Sequence, residues 1–318
     1  MPEPSGPEVR YFLGFDGGGT KTECLLAGAE GAILARAVAG PSNPLRGGYT
    51  RAWFSLSEGA DAVLGRHKIK ARDISAVCAG IGGAARAGVA KRVTTFFERS
   101  FPNARVRVTT DLEIAFEAAF GKGEGILLLA GTGSAAFGRD ADGRTARAGG
   151  RGPWFSDEGS AFDIGRRAFA AVARAEEHRG AETALTKRLF SWHQAQNWEA
   201  LFERVSKNPD DVFPNTFPLV AQLADKDDAV CREILSTAAE SLVELAVCVA
   251  NDLGWTNREI GLAKAGGVYG RSKYFDASID AEIKKAMPGA RLTALRVSPA
   301  EAAVQMAIRT LLAAGNAA

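Results

Sequence analysis

The segment Phe15–Thr22 (FDGGGTKT) joins two apolar runs, Tyr11–Phe15 and Cys24–Leu26. Consecutive glycines lose more backbone freedom on folding than other residues, so a run of them needs a compensating role. Their exposed N–H groups and the close approach that they allow suit a phosphate. Asp16 would oppose phosphate oxygens unless a divalent cation lay between them. The segment therefore predicts a metal–nucleotide site, and a hairpin turn without a ligand is the alternative.

This loop differs from two common phosphate-binding loops, both of which lead into a helix. The P-loop requires Lys where Thr20 stands, and the dinucleotide fingerprint requires Gly or Ala where Thr22 stands. The residues that follow instead form an apolar run up to Ala27, a glycine-containing turn, and a second apolar run, Ala32–Val38. We therefore predict a β-hairpin, so that the order is strand, glycine loop, strand.

A second unit of the same kind begins at Gly125. Gly125–Ala130 is predicted to be a buried strand, Gly131–Ser134 (GTGS) is its loop, and Asp140–Gly143 is a hairpin turn between two further strands. Such an internal repeat indicates duplicated α/β units. Between the two loops we predict helices around Thr50–Leu64 and Val89–Phe97 and strands at Ile74–Cys78 and Arg105–Thr109. After the second unit we predict a mostly helical stretch from about Ser160 to Leu253, a strand at Ile260–Lys264 and a helix at Pro299–Ala314.

Three polar side chains are candidates for chemistry, and each has a structural alternative. Thr110–Glu113 has the pattern of a capping box, which places Asp111 in the first turn of a helix. An ionised aspartate there could accept the proton of an attacking hydroxyl, or could only stabilise the helix start. Asn43 is either a turn former or a polar contact. Asp157, in a segment predicted to start another helix, is either a surface acid or a partner for sugar hydroxyls.

A second glycine pattern supports a different function. Gly80–Ala85 fits the looser G-x-G-x-x-A form, follows a strand, precedes a helix, and is followed by Asp111 at the end of the next strand. That order is typical of dinucleotide-binding enzymes, so an NAD-dependent oxidoreductase is an alternative function. The other two glycine loops would then have no role.

Composition narrows the classes of function. Hydrophobic residues make up 46% of the chain and charged residues 24%, as in a globular protein, and the net charge of +2 gives no reason to expect a nucleic acid or an anionic membrane as partner. The first ten residues lack the apolar core of a signal peptide, and the four cysteines are scattered, so we expect a cytoplasmic protein without a zinc or iron–sulfur site. The histidines at 67, 178 and 193 are expected at the surface.

Six motifs together resemble a known family. They are DGGGTKT, PSNP, TD, AGTGS, GGRG followed by DEGS, and AGGV, and they run from Phe15 to Val268 in the order seen in the N-acetylglucosamine kinase / BadF-BadG-BcrA-BcrD ATPase family of the actin-like, sugar-kinase superfamily. The resemblance implies an α/β fold of two ribonuclease H-like domains with mixed sheets flanked by helices and with ATP in the cleft between them. We expect residues 1–118 with a C-terminal helix at 298–318 in the first domain and residues 119–297 in the second.

The resemblance also implies roles for individual residues. Asp111 would be the catalytic base for the sugar 6-hydroxyl, and Asn43, Gly150 and Asp157 would bind the sugar together with it. Asp16 would lie near Mg²⁺ and would contact the ion through a water molecule. Gly18, Gly19, Thr20 and Lys21 would surround the phosphates of ATP, Gly131, Thr132 and Gly133 would form the second phosphate loop, and Gly266 and Gly267 would pack against the adenosine.

The function implied is the ATP-dependent phosphorylation of an amino sugar, N-acetylglucosamine or glucosamine, by a cytoplasmic homodimer. One departure bears on the sugar. Relatives usually carry an aromatic residue after the paired glycines and Gly before the second Asp, whereas Arg151 and Ser156 stand at these positions.

A second function on the same fold is an ATPase activator of a 2-hydroxyacyl-CoA dehydratase or benzoyl-CoA reductase. That function needs cysteines for a shared cluster, and none lies near Gly131–Gly159.

Overall fold

The structure, a computed structural model, describes residues 10–255 and 258–315. Residues 1–9, on which the prediction about a signal peptide rests, and the last three residues of the predicted C-terminal helix lie outside the described part. The chain divides into two compact units. The first comprises Met1–Gly121 and Arg296–Ala318, and the second comprises Lys122–Leu295.

The first unit is built on a mixed five-stranded sheet in the order β3-β2-β1-β4-β5. β1, β4 and β5 are parallel, and β2 and β3 form the antiparallel hairpin that follows the first glycine loop. The elements of this unit are β1 (Tyr11–Gly17), β2 (Thr22–Ala27), β3 (Ile33–Ala39), α1 (Pro44–His67), a short 3-10 helix (Ala71–Asp73), β4 (Ile74–Ile81), α2 (Ala87–Ser100), β5 (Arg105–Thr109), α3 (Asp111–Phe120) and α10 (Pro299–Gly315).

The C-terminal helix α10 packs on this sheet through small side chains. Ala300, Ala303 and Val304 are buried in one cluster with Phe12 of β1. A Cβ placed on Gly14 would lie 2.5 Å from the Ala300 carbonyl oxygen. The absence of a side chain at Gly14 therefore allows the helix backbone to approach the strand.

The second unit repeats this topology. Its sheet has the order β10-β9-β6-β7-β8, with β6, β9 and β10 parallel and with β7 and β8 as the antiparallel hairpin. The elements of this unit are β6 (Gly125–Ala130), β7 (Ser134–Arg139), β8 (Thr145–Gly149), α4 (Ala161–Glu176), α5 (Ala184–Trp192), α6 (Trp198–Lys207), α7 (Pro209–Ala224), α8 (Ala229–Asp252), β9 (Ile260–Ala265), α9 (Lys273–Ala286) and β10 (Ala290–Thr293).

The duplicated α/β architecture predicted from the sequence is confirmed, with two mixed sheets flanked by helices. β5 and β6 have the predicted bounds, and each glycine loop lies between two antiparallel strands. None of the helices in the described ranges is long and apolar enough to cross a membrane. In α8, the most apolar long segment, Glu240 and Glu244 are exposed, while one face is buried.

Three local predictions were wrong. α1 begins at Pro44 and not near Thr50, because Asn43 caps it and Pro44 occupies its first turn, with non-helical backbone at Gly48. The segment before α4 remains irregular up to Ser160, the N-cap, so Asp157 precedes the helix and does not lie in its first turn. His193 is buried and bonds to Thr216 (2.8 Å), whereas a surface position was expected.

Candidate active site

The candidate residues of the first unit lie where the parallel strands end. Asp16 and Gly17 end β1, Gly82 follows β4, and Asp111 follows β5 after one residue. The carboxyl ends of neighbouring parallel strands lie at the same edge of a sheet, which is where open α/β sheets bind ligands. The topology therefore gathers residues that are distant in the sequence.

The first glycine loop is a tight turn tied to the segment before α1. The Gly18 N–H donates to the Lys21 carbonyl (2.9 Å), and the Ser42 and Asn43 amides both donate to the Gly18 carbonyl (3.1 Å each). A Cβ on Gly17 would lie 2.2 Å from Ser42 Oγ. Thr20 and Lys21 are exposed at the tip of the turn, as phosphate-binding groups must be.

Asn43 presents only one side of its amide to the site. Its Oδ1 accepts the Leu45 N–H (3.0 Å), as the N-cap of α1. Its Nδ2 lies 3.0 Å from the position that a Cβ on Gly82 would occupy. Since Oδ1 is used in the cap, Asn43 offers N–H donors to a ligand, which suits a hydroxyl or carbonyl oxygen.

Asp111 is held by the start of α3. The predicted capping box is present: the Glu113 N–H donates to Thr110 Oγ1 (3.1 Å), and the Thr110 N–H donates to the Glu113 carboxylate (3.3 Å). Asp111 Oδ1 accepts the Leu112 N–H (3.0 Å), while Oδ2 lies 3.3 Å from the Cβ position of Gly82. The carboxylate is thus fixed at a helix N-terminus, where the dipole favours its ionised form.

The surroundings of Asp16 disfavour the ionised form of its carboxyl group. Burial, followed by the negative charges of Asp111 and Glu23, raises the pKa of Asp16 from 3.8 to about 7, and Lys21 acts in the opposite direction. A divalent cation beside Asp16 would offset these effects and favour the carboxylate. No group of three or more His, Cys, Asp or Glu within the described ranges has the geometry of a metal cage. Mg²⁺ usually binds one or two carboxylates, substrate phosphates and water, so Asp16 fits that ion without a cage.

Within the second unit, the second glycine loop (Gly131–Ser134) is in contact with residues 156–161, called the acidic segment below. The Gly131 N–H donates to the Gly133 carbonyl (2.8 Å), which closes the loop. Asp157 is buried, and its Oδ1 accepts the Ser134 N–H (3.3 Å). A Cβ on Gly133 would lie 2.8 Å from Asp157 Oδ2. The alternative of a surface acid is therefore wrong for Asp157.

The paired glycines after β9 lie beside the same loop. A Cβ on Gly266 would lie 2.1 Å from the Ala130 carbonyl oxygen, and Gly266 has a φ of 114°, which favours glycine. Both Gly266 and Gly267 are exposed. Lys264, which lies in β9 just before these glycines, pairs with Asp280 (2.5 Å) and lies near the Tyr269 ring.

Gly150 follows β8 at the same edge of the sheet as the second glycine loop. Its carbonyl accepts from Arg147 (3.1 Å), and its Cβ position lies 3.1 Å from Ala135 Cβ. Beyond Gly150, Arg151, Trp154 and Phe155 are exposed, with Trp154 at 71% and Phe155 at 84%. The structure thus brings Gly150 near the second loop. Of the two residues that depart from the family pattern, Arg151 is exposed, whereas Ser156 is half-buried and its hydroxyl donates to the Glu158 carboxylate (3.3 Å).

Sequence analysis gave no site role to Gly82 or Gly83, and it named Ser134 only as the end of the second glycine loop. Gly82 and Gly83 were considered only as parts of a dinucleotide fingerprint. In the structure Gly80 lies inside β4, where its Cβ position is 2.4 Å from Ile114, and it does not make the turn that the fingerprint requires of its first glycine. The signal in the sequence that could have identified them is the pair of glycines directly after the strand β4.

The chain is similar to known proteins in sequence and in fold. The sequence profile of the BadF/BadG/BcrA/BcrD ATPase family matches residues 13–305. An N-acetylmuramic acid/N-acetylglucosamine kinase from Clostridium acetobutylicum is 30% identical over 268 residues, which cover 84% of this chain and 88% of the relative. An N-acetyl-D-glucosamine kinase from Dictyostelium discoideum is 27% identical over 315 residues, covering 94% and 98%. The solved structure of a candidate N-acetylglucosamine kinase from Chromobacterium violaceum has a TM-score of 0.79 at 25% identity and covers 96% of this chain and 100% of that one.

Proposed function

Because the chain belongs to the BadF/BadG/BcrA/BcrD ATPase family, we propose that it is an ATP-dependent sugar kinase whose acceptor is the 6-hydroxyl of an amino sugar. N-acetylglucosamine is the first candidate, and glucosamine is the second. The names of the two relatives described above support this choice of acceptor. The observation that carries the proposal is the approach of Asn43 and Asp111 to the same position beside Gly82.

Asp111 has the features of a general base for phosphoryl transfer. Such reactions depend on positioning and electrostatics, and a carboxylate orients the attacking hydroxyl and accepts its proton. The capping box and the Leu112 N–H fix the Asp111 carboxylate and favour its ionised form. Asp111 Oδ2, on the side of Gly82, is the atom that would accept the proton.

Asn43 has the features of a sugar-orienting residue. Its Oδ1 is used in the helix cap, so its Nδ2 can donate to a sugar oxygen while Asp111 accepts from a hydroxyl. A donor and an acceptor that approach one position suit a polyol. We propose Gly150 and Asp157 as further sugar contacts, on the basis of the family resemblance.

The nucleotide is proposed to bind the glycine-containing turns. Gly18–Lys21 and Gly131–Gly133 would contact the phosphates through backbone N–H groups, and Gly266 and Gly267 leave open surface for the adenosine. Asp16 would hold Mg²⁺ through water, and the ion would neutralise the phosphate charges. The pKa of Asp16 is consistent with a carboxylate that needs a cation.

The test is a coupled assay of ADP release across a panel of sugars: N-acetylglucosamine, glucosamine, N-acetylmuramic acid, glucose and mannose. We expect turnover with N-acetylglucosamine or glucosamine to exceed turnover with glucose, and we expect the product to carry phosphate on the 6-oxygen. Turnover of ATP without any sugar in the panel would contradict the proposal and would favour the ATPase activator.

A further inference from the structure

Hydrogen bonds join the second glycine loop to the acidic segment, and Ser134 contributes two of them. The Ser134 N–H donates to Asp157 Oδ1 (3.3 Å), and the Ser134 hydroxyl donates to the Glu158 carbonyl (2.7 Å). The Ala161 N–H donates to the Gly131 carbonyl (2.9 Å). Ser134 is buried, with 3% of its surface exposed. The conformation of one loop therefore depends on that of the other.

The acidic segment is also fixed on its far side. Gly159 has a φ of 73°, and a Cβ there would lie 2.5 Å from the Ala238 carbonyl oxygen of α8. The Gly159 N–H donates to Asp163 Oδ2 (3.1 Å), and Asp163 is held by Arg167 (2.9 Å). The segment has no room to move towards α8, so a shift of Ser134 acts mainly on Asp157 and Glu158.

Asp157 is held in a conformation that an aspartate adopts only at a cost. Its φ of 67° lies in the left-handed region, and its carboxylate lies against Gly133. Such strained residues persist when their surroundings over-determine them, and they concentrate at functional sites. Here Ser134 and Gly133 supply the surroundings, and both belong to the second glycine loop.

We infer that Ser134 is a positioning residue that couples sugar binding to nucleotide binding, because it connects the proposed phosphate loop to the proposed sugar contact Asp157. The inference rests on the proposed function. A nucleotide that orders Gly131–Gly133 also orders Ser134, and Ser134 then holds Asp157 in place before the sugar arrives. The second ligand therefore meets a site that is already ordered and binds more tightly. Thermodynamic linkage makes the effect reciprocal.

The test compares the dissociation constant of N-acetylglucosamine with and without a non-hydrolysable ATP analogue and Mg²⁺, by calorimetry. We expect the analogue to tighten sugar binding at least about fivefold in the wild type, and less than about twofold in Ser134→Ala. Ser272→Ala is the matched control, since Ser272 is also buried (2% exposed) and its hydroxyl makes a bond of the same length (2.7 Å) to Asp225, which belongs to neither loop. This control should keep the wild-type ratio.

A merely structural role for Ser134 would lower the melting temperature and leave the ratio unchanged, as expected for Ser272→Ala. An unchanged ratio in a folded Ser134→Ala protein, or a wild-type ratio of one, would overturn the inference while leaving the kinase activity in place. Should Ser134→Ala fail to fold, Ser134→Cys keeps the side-chain volume with a weaker donor and should also reduce the ratio. Failure of the wild type to bind either ligand would instead contradict the proposed function, and the inference with it.

Discussion

Asn43 Nδ2 and Asp111 Oδ2 lie 3.0 and 3.3 Å from the position that a Cβ on Gly82 would occupy. The two side chains come from different connections, one before α1 and one before α3, and only a glycine between them leaves space for a hydroxyl group. Even a methyl group at position 82 would therefore disturb the Asn43 amide and the Asp111 carboxylate.

We expect Gly82→Ala to lower kcat/KM for the sugar by about 100-fold, because the added methyl displaces the amide or the carboxylate from its productive position. The measurement is steady-state kinetics with the best sugar of the panel. Gly88→Ala is the matched control, since a Cβ at Gly88 in α2 would meet no atom within 4 Å. Equal kinetics for the two variants would show that the space beside Gly82 is not used by the substrate.

We expect Gly14→Ala to destabilise the protein by about 1–3 kcal/mol, because the added methyl overpacks the contact between β1 and α10. Its Cβ would lie 2.5 Å from the Ala300 carbonyl oxygen and 2.7 Å from Val304 Cγ2. Urea unfolding measures the change in the free energy of unfolding. Gly65→Ala in α1, where a Cβ would meet no atom within 4 Å, should leave stability unchanged or raise it. A Gly14→Ala protein as stable as the wild type would contradict the close packing of α10.

We expect Asp16 to reduce the stability of the metal-free protein as the pH rises from about 4 to about 7. The pKa of Asp16 is raised from 3.8 to about 7 in the folded state, so over this range the folded state holds a proton that the unfolded state has released. The contribution of Asp16 reduces the free energy of unfolding by at most about 1.4 kcal/mol per pH unit. Thermal melts in a chelator, for the wild type and Asp16→Asn, isolate this contribution.

Asp16→Asn should show a smaller loss of stability than the wild type between these pH values. Mg²⁺ with a non-hydrolysable ATP analogue should restore stability near neutral pH in the wild type more than in the variant. Parallel pH profiles for the two proteins would contradict the assignment of this pH dependence to Asp16.

The sequence predicted the elements that follow from local patterns. Alternating apolar residues defined β5, a buried apolar run defined β6, and the capping box of Thr110 and Glu113 defined the start of α3. Asn43 followed by Pro44 is also a local helix-start signal, but the glycines at 47 and 48 obscured it.

Contacts between distant residues could not be predicted in this way. The burial of Asp157 depends on Ser134 and Gly133, which lie beyond a complete β-hairpin in the sequence. The role of Gly82 depends on Asn43 and Asp111. Asp111 lies near Gly82 because β4 and β5 are parallel neighbours, and Asn43 does so because its N–H donates to the Gly18 carbonyl just after β1. No periodicity in the sequence records such a contact.

The central claim, that Asp111 is the base of a sugar kinase, is tested most directly by Asp111→Asn. Asparagine has nearly the same shape, and the capping box of Thr110 and Glu113 remains, so the fold and the affinity for a non-hydrolysable ATP analogue should change little. We expect kcat to fall by at least about 100-fold, in line with the loss of a general base. Glu113→Gln, which changes a neighbouring carboxylate of the same helix turn, should retain kcat within a few-fold. Wild-type turnover in Asp111→Asn would contradict the claim.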